Sequence, residues 1–469
     1  MAKRSRMDAT ALLLALTLAA PPAGKEREMF DVRAHGAAGD GVTVDTAALQ
    51  AAIDAAGAAG GGQVVLGAGT YLSATLRLRS GVELHLAEGA RLLGVPDKDA
   101  YSGPRDEPRN HWLHALIVGE DLENIAFTGP GTIDGNKVRD PQGEEHLRGP
   151  HGILLRRCKQ VRLENLTLRD VGNYAFLFYA CQGVTVTNST FEGGWDGVHC
   201  RELGGVWNRD LRITGCRFYT GDDSIAGSGI EDCVIDRCVI NSSCNGVRLI
   251  GPARRWTLTN CAFFGPGRFP HVTQNRTNML AALCLQPSAW DKRPGPFEDI
   301  HVSDVVMKDV LCAFHIVLRA GNTADRLVFE RVRGSLNATR WAAASVESWG
   351  EAPFGSVTFR DIDLTCAGGG DEKAAQLPIN RPGVDARPLP VWGFYARGVK
   401  ELTLERVKLT ALKAEARPAV RAEGVEHLRL THVAATPGVP WQLDGGGEVV
   451  RDDTAAEPAA PGADVPAGD

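Results

Sequence analysis

The sequence predicts an all-β fold, a single-stranded right-handed parallel β-helix with an N-terminal capping helix. Three observations predict it. First, short β-branched runs begin at Val161, Val184, Leu211, Cys233 and Trp256, at intervals of 23, 27, 22 and 23 residues, the sign of a stacked repeat. Second, apolar and polar residues alternate within each run, the period of a half-buried strand and not of a helix. Third, a second short strand follows each run, at 175–178, 197–200, 224–226, 246–249, 281–284 and 313–316, set off by Gly, Asn and Asp. Two or three strands per turn of about 23 residues describe coils that each leave an edge for the next to pair. A sandwich or barrel predicts no fixed interval over such a length.

Taken in chain order, residues 1–24 read as a secretory signal: the basic group Lys3, Arg4 and Arg6, an apolar stretch at 11–20, then small residues to Gly24. Asp8 interrupts that pattern. The stretch is shorter than the ~20 residues a permanent span needs, so the expectation is a secreted or periplasmic protein with no membrane partner. Residues 45–58 place Ala, Leu and Ile at helical spacing behind Asp45, an N-cap residue; this helix covers the open first coil. The β-helix domain is expected to fill 25–450. Later copies of the repeat begin at His301, Leu327, Val357, Leu402 and Leu428, at longer intervals that imply inserted loops. From 451 to 469 the chain is rich in Ala, Pro, Gly and Asp without periodicity, the composition of a disordered tail.

Apolar residues are 43% and charged residues 23% of the chain, and the formal charge is -6. That composition excludes wholesale disorder and gives no general attraction for phosphate, so no nucleic-acid partner is expected. The eleven cysteines include spacings of 23 (Cys158 to Cys181), 22 (Cys216 to Cys238), 23 (to Cys261) and 23 (to Cys284). Such spacing points to a stacked interior column of free thiols, with room for one or two disulfides. No CxxC pair occurs, and neither a metal nor another cofactor is expected.

Aligning coils by their second strand puts Asp196, Asp223 and Asn245 in one outward column, at ~4.8 Å per coil. Asp222 lies beside it, and His199, Ala226 and Arg248 form the next column. Three carboxyls so close cannot all ionise freely, so at least one keeps a proton near neutrality. One protonated and one ionised carboxyl are what glycoside hydrolysis requires. The alternatives are that these acids are turn residues or calcium ligands.

Here the sequence resembles glycoside hydrolase family 28, the polygalacturonase-like enzymes of the pectin-lyase-like superfamily, from about Phe30 to Gly334. The opening segment 30–46, Gly67-Ala-Gly-Thr-Tyr71 and Gly129-Pro-Gly-Thr-Ile-Asp-Gly135 carry the superfamily likeness. Gly194-Trp-Asp-Gly197 and Gly221-Asp-Asp-Ser224 resemble the family's Asn-Thr-Asp-Gly and Gly-Asp-Asp-Cys motifs. The resemblance implies an inverting hydrolase of pectin-like polysaccharide, with Asp222 as general acid and Asp196 and Asp223 activating water. His199, Asn245 and Arg248 are the expected substrate-binding residues. Two departures stand out: Asn245 replaces the histidine of the family's His-Gly motif, and Cys284-Leu-Gln286 replaces its Arg-Ile-Lys motif. Arg248 is one candidate for the missing cation, and the departures open the substrate to rhamnogalacturonan, decorated pectin or a neutral or sulfated glycan.

Trp195, Trp290, Trp341 and Trp349 are candidate sugar-stacking residues. His271, Arg276 and Arg293, in the insertion between Gly265 and Phe297, are candidate cleft walls, and His315 and Arg319 read as surface residues. The expected partner is a polysaccharide, on a monomeric protein. Two further readings compete: a lyase or uronate epimerase on the same fold, and a carbohydrate-binding β-helix without catalysis.

Overall fold

A computed structural model describes residues 27–290, 292–436, 441–444 and 448–452. The expected signal, 1–24, and the tail beyond 452 lie outside the described residues. The described chain forms one parallel stack of 35 strands, wound as a right-handed β-helix. Each full coil has three strands, and each strand pairs with its counterpart one coil on. In one coil these are Phe176–Tyr179, Gln182–Thr187 and Thr190–Gly193, and Val198–Arg201 then pairs in parallel with Phe176–Tyr179.

The repeat starts are in register: Val161 pairs with Val184, Val184 with Leu211, Leu211 with Cys233 and Cys233 with Trp256. The continuation passes through Ile300 to Leu327, so His301 is displaced by one residue from the column the spacing suggested. Each eight-residue run is two strands and not one, because the chain turns a corner inside it. Asn165, Asn188, Gly215, Arg237 and Asn260 take φ between 49° and 66° there, the left-handed region that Gly and Asn reach at low cost. Alternation survives because the residue after the corner (Leu166, Ser189, Cys216, Cys238, Cys261) is again buried.

The core is a continuous filling of Leu, Ile, Val and Phe down the axis. All eleven cysteines are free and buried, so the allowance for disulfides is not needed. They do not form the single ladder that the intervals suggested. Cys158 and Cys181 stack at one corner, Cys216, Cys238 and Cys261 at another, and Cys284 pairs in register with Arg248 on an outer face.

The helix Thr46–Ala58 buries Leu49, Ala52, Ile53 and Ala56 against the first coil. Asp45 occupies its N-cap but makes no side-chain cap bond. Its carboxylate instead accepts the N–H groups of Ala38 (2.7 Å) and Gly39 (3.0 Å), tying the opening segment to the helix. At the other end, strand Glu448–Asp452 pairs with Val420–Thr436, so the last coil runs two residues into the segment expected to be tail. No helix among the described residues is long and apolar enough to cross a membrane.

Candidate active site

The stack containing Val198–Arg201, Ile225–Gly227 and Asn245–Leu249 forms the floor of a cleft of about 550 Å³. Val198 pairs with Ile225 and Ile225 with Val247, which sets Asp196, Asp223 and Asn245, each two residues earlier, one above another. His199, Ala226 and Arg248 make the adjacent column. The Asp-Gly pair at 196–197 has a steric cause. A Cβ on Gly197 would come within 2.7 Å of the Ser224 carbonyl oxygen and the Phe218 ring, so the coils can meet there only without a side chain.

Asp196, Asp222 and Asp223 each place a carboxylate oxygen within 4.8 Å of the other two, and all three are buried. Burial pushes Asp196 well above the usual carboxylate range, and the charges of Asp222 and Asp223 add to it. Asp223 is also raised, by burial first and by the Asp222 charge, against the pull of Arg248. Burial alone would raise Asp222 too, but its contact with His271 and the Arg148 guanidinium outweigh it and hold the carboxyl low.

Each acid has its own support. Arg148 Nη2 donates to Asp222 Oδ2 at 3.0 Å while its guanidinium lies 3.8 Å from the Trp195 ring centre. His271 Nδ1 accepts the N–H groups of Thr273 and Gln274, both at 3.3 Å, which leaves Nε2 as the donor nitrogen, 3.7 Å from Asp222 Oδ1. His199 Nε2 accepts from Arg201 Nε at 3.0 Å, so its proton sits on Nδ1 and is donated to Asp196 Oδ2 at 2.7 Å. Burial, then the charges of Arg201 and Arg148, keep this imidazole neutral. Asn245 gives both its backbone N–H (3.0 Å) and its side-chain amide (2.9 Å) to Asp223 Oδ1, and Arg248 Nη1 lies 3.5 Å from Oδ2.

Thus the structure brings together Asp196, Asp222, Asp223, His199, Asn245 and Arg248. It turns His199, Asn245 and Arg248 toward the carboxylates, with His199 and Arg248 also lining the cleft. Arg248 contacts Asp223, Asp385 at 3.3 Å and the Val384 carbonyl through its two terminal nitrogens, so its charge is shared among protein acceptors. His271, Arg276 and Trp290 line the cleft as well. Trp290 is 55% exposed at its rim, whereas Trp195 is buried beneath Arg148. Trp341, Trp349 and Arg293 lie outside the cleft lining, with Trp349 stacked on Arg397 and Arg293 bound to Glu202. His315 is not a surface residue: it is buried, bonded to Ser345 at 2.9 Å.

Sequence reasoning missed Arg148, Tyr174 and Arg201. Continuing the Asp196 column one coil upstream gives Tyr174, whose ring stacks on His199 at 4.1 Å and 4°, so that signal was present. Arg148 reaches the site from a loop with no register to betray it.

The family described as "Right handed beta helix region" matches residues 124–284. The family described as "Rhamnogalacturonase A/epimerase, pectate lyase-like" matches residues 29–91. Two separate stretches of the chain thus resemble β-helix families, one of them described as pectate lyase-like. Among curated relatives, a probable polygalacturonase of Vitis vinifera is 27% identical over 64% of this chain and 66% of its own. An exo-poly-alpha-D-galacturonosidase of Dickeya chrysanthemi is 28% identical over 43% of this chain and 42% of its own. Mannuronan C5-epimerase AlgE2 of Azotobacter vinelandii is 67% identical over 39% of this chain but only 19% of its own. The chain therefore spans less than two thirds of each. Among solved structures, the family 28 exopolygalacturonase of Yersinia enterocolitica is 17% identical, covering 92% of this chain and 79% of its own, with a TM-score of 0.54. The Streptococcus pneumoniae surface adhesin PfbA is also 17% identical, covering 81% of this chain and 92% of its own, at 0.51. A hydrolase and an adhesin share this β-helical fold, so the function has to be argued from the carboxylates.

Proposed function

We propose that this protein hydrolyses glycosidic bonds of a pectin-like polysaccharide with inversion. The observation that carries the reading is the cluster of Asp196, Asp222 and Asp223 on the floor of the cleft. Against three buried acids stand two arginines in direct contact, Arg148 and Arg248, so the cluster keeps a proton near neutrality. Asp222 is the acid that protonates the leaving oxygen, and Asp196 and Asp223 take the proton of the attacking water. In the free protein Arg148 and His271 hold Asp222 ionised, so the proton it delivers is drawn from the Asp196 and Asp223 carboxyls within 4.8 Å. The three act as one titrating unit. Trp290, exposed at the rim, offers a sugar ring a stacking face.

Likeness to the mannuronan epimerases favours a second reading, C5 epimerisation or lysis of a uronan. Either needs a free base beside the uronate α-proton and a cation on its carboxylate. Among the described residues no lysine lines the cleft, both nitrogens of His199 are engaged, Arg148 and Arg248 contact protein acids, Arg201 donates to His199, and Arg276 donates to Gln274 and the Ser243 carbonyl. That arrangement supports hydrolysis.

The test is reducing-end release from pectic and algal polysaccharides, with unsaturated-uronate absorbance and deuterium uptake at C5 followed in parallel. Release without absorbance or exchange is expected, with Asp222→Asn lowering it by ~10²–10⁴ while the circular dichroism is unchanged. Absorbance or deuterium uptake without net hydrolysis would overturn the reading in favour of the second.

A further inference from the structure

Arg201 lines the cleft, yet its hydrogen bonds go to neutral groups. Its Nε donates to His199 Nε2 at 3.0 Å and its Nη2 to the Tyr174 hydroxyl at 3.5 Å, so neither acceptor is a carboxylate. Trp112 lies beside the guanidinium, with its ring centre 5.7 Å away. The strand Val198–Arg201 places His199 and Arg201 at alternate positions, so both side chains leave the same face of the sheet. Upstream, Tyr174 covers one face of the imidazole, nearly parallel to it at 4.1 Å. Tyr174 is itself tied down by His151, whose Nδ1 accepts the Tyr174 N–H at 3.2 Å while its Nε2 donates to the Trp112 carbonyl at 2.8 Å.

The result is an imidazole with no nitrogen to spare. Nε2 stays bare to accept from Arg201, so Nδ1 carries the ring's one proton and donates it to Asp196 Oδ2 at 2.7 Å. A proton on Asp196 itself then sits on Oδ1, because Oδ2 already faces an N–H. The charged groups around this pair are Asp222, Asp223 and Arg248 from the following coils, Arg148 from its loop and His151 from the coil before. Burial, then Arg201 and Arg148, oppose a charge on the ring, against the pull of Asp222. Without the Arg201 bond the ring is free to take the other tautomer, with its proton on Nε2. A bare Nδ1 would then hold the Asp196 proton on Oδ2, out of exchange with Asp222.

We infer that Arg201 is a positioning residue that seals the shared proton of the three aspartates against His199: by fixing one tautomer it keeps that proton on Asp196 Oδ1, in exchange with Asp222. This rests on the hydrolase reading. Arg201 and His199 exchange no proton with the substrate. The water gives its proton to the Asp196 and Asp223 carboxyls as one leaves through Asp222 to the departing oxygen, so the number of protons held is unchanged over a turnover.

The experiment measures kcat and KM against pH on a polysaccharide that the protein cleaves. The unaltered protein is compared with Arg201→Leu and Arg201→Gln, with circular dichroism as the check on folding and the His199 tautomer read from histidine 15N shifts. A glutamine amide nitrogen is as many bonds from the backbone as the arginine Nε, so Arg201→Gln keeps the donor and loses the charge. In Arg201→Leu the tautomer is expected to change and Asp196 to hold its proton more tightly. The acid limb of kcat then moves up by ~1–2 pH units, the size of one lost hydrogen bond to an ionised group, with KM little altered. Arg201→Gln is expected to reverse most of that displacement. Adding Arg201→Leu to His199→Gln is expected to have little further effect, because the arginine acts through the ring. Equal displacements in Arg201→Leu and Arg201→Gln would overturn the inference. So would a raised KM with the limb in place, which would make Arg201 a cation for the substrate; both outcomes leave the hydrolase reading standing. No reducing ends from any substrate would overturn that reading, and this role with it.

Discussion

At Asp222 two donors meet one carboxylate: Arg148 at 3.0 Å on Oδ2 and the Nε2 of His271 at 3.7 Å from Oδ1. They set how readily this acid accepts the shared proton. Removing the positive charge in Arg148→Gln raises the Asp222 pKa, so this carboxylate, ionised in the unaltered protein, takes up the shared proton more readily and keeps it to higher pH. The alkaline limb of the kcat profile is therefore expected to move to higher pH, even as kcat falls. A limb that stays in place would show that Arg148 only packs against Trp195. Asp196 gives the opposite kind of test. Its folded pKa is raised by burial and by Asp222 and Asp223, so the folded state binds more protons than the unfolded one, whose carboxyl titrates near ~3.9. Its contribution to stability is then lost as pH rises through the raised value. Asp196→Asn removes that loss. Thermal melting should show it more stable than the unaltered protein at neutral pH, with the gain vanishing near pH ~4 and hydrolysis abolished throughout. A lower Tm at neutral pH would mean that the His199 bond outweighs the cost of burial.

Among elements, the coils were legible because their cause is local. Alternating residues such as those from Val161 and Val184 need one face in the core, and a one-residue slip would expose that face. The spacing therefore gives the register itself, and with it the column of Asp196, Asp223 and Asn245. Residues brought in by loops were not legible, because no period ties them to a coil: Arg148, and Val384 on the wall, reach the cleft across distances set by tertiary packing. The corners inside each run escaped notice since Leu166 and Ser189 return to the interior and keep the alternation intact. Asp45 shows a third limit, for an N-cap residue was correctly placed while its hydrogen bonds went elsewhere. It joins helix to opening segment through Ala38 and Gly39. Asp45→Ala leaves those two N–H groups without their acceptor and is expected to cost about 1–3 kcal/mol. Amide exchange should report it first at 38–39. Unchanged protection there would mean that the helix is held by Leu49 and Ile53 alone.

As a whole, the molecule is a column in which each coil touches chiefly the coils above and below it, so a defect should act over a short range. Two core residues make a matched pair. Leu84 and Ile235 are both fully buried in the core, Leu84 near the capped end and Ile235 in the strand Ile230–Asp236 that directly follows the Asp222 coil. Truncating either to alanine removes a comparable apolar volume from a packed interior and is expected to cost about 2–5 kcal/mol. The effect on chemistry should differ. Ile235 stacks in register between Ile213 and Leu258, in the coils whose other strands position Asp196, Asp222, Asp223 and Arg248, so relaxation around that cavity displaces the acids. Leu84 touches no coil of the cleft floor, and its loss leaves the spacing of the carboxylates alone. Urea unfolding should therefore show similar destabilisation for Leu84→Ala and Ile235→Ala, while kcat at 25 °C falls only in the second. If Leu84→Ala lowered kcat as much, strain would be travelling along the axis, and the cleft would depend on the whole column and not on its neighbouring coils.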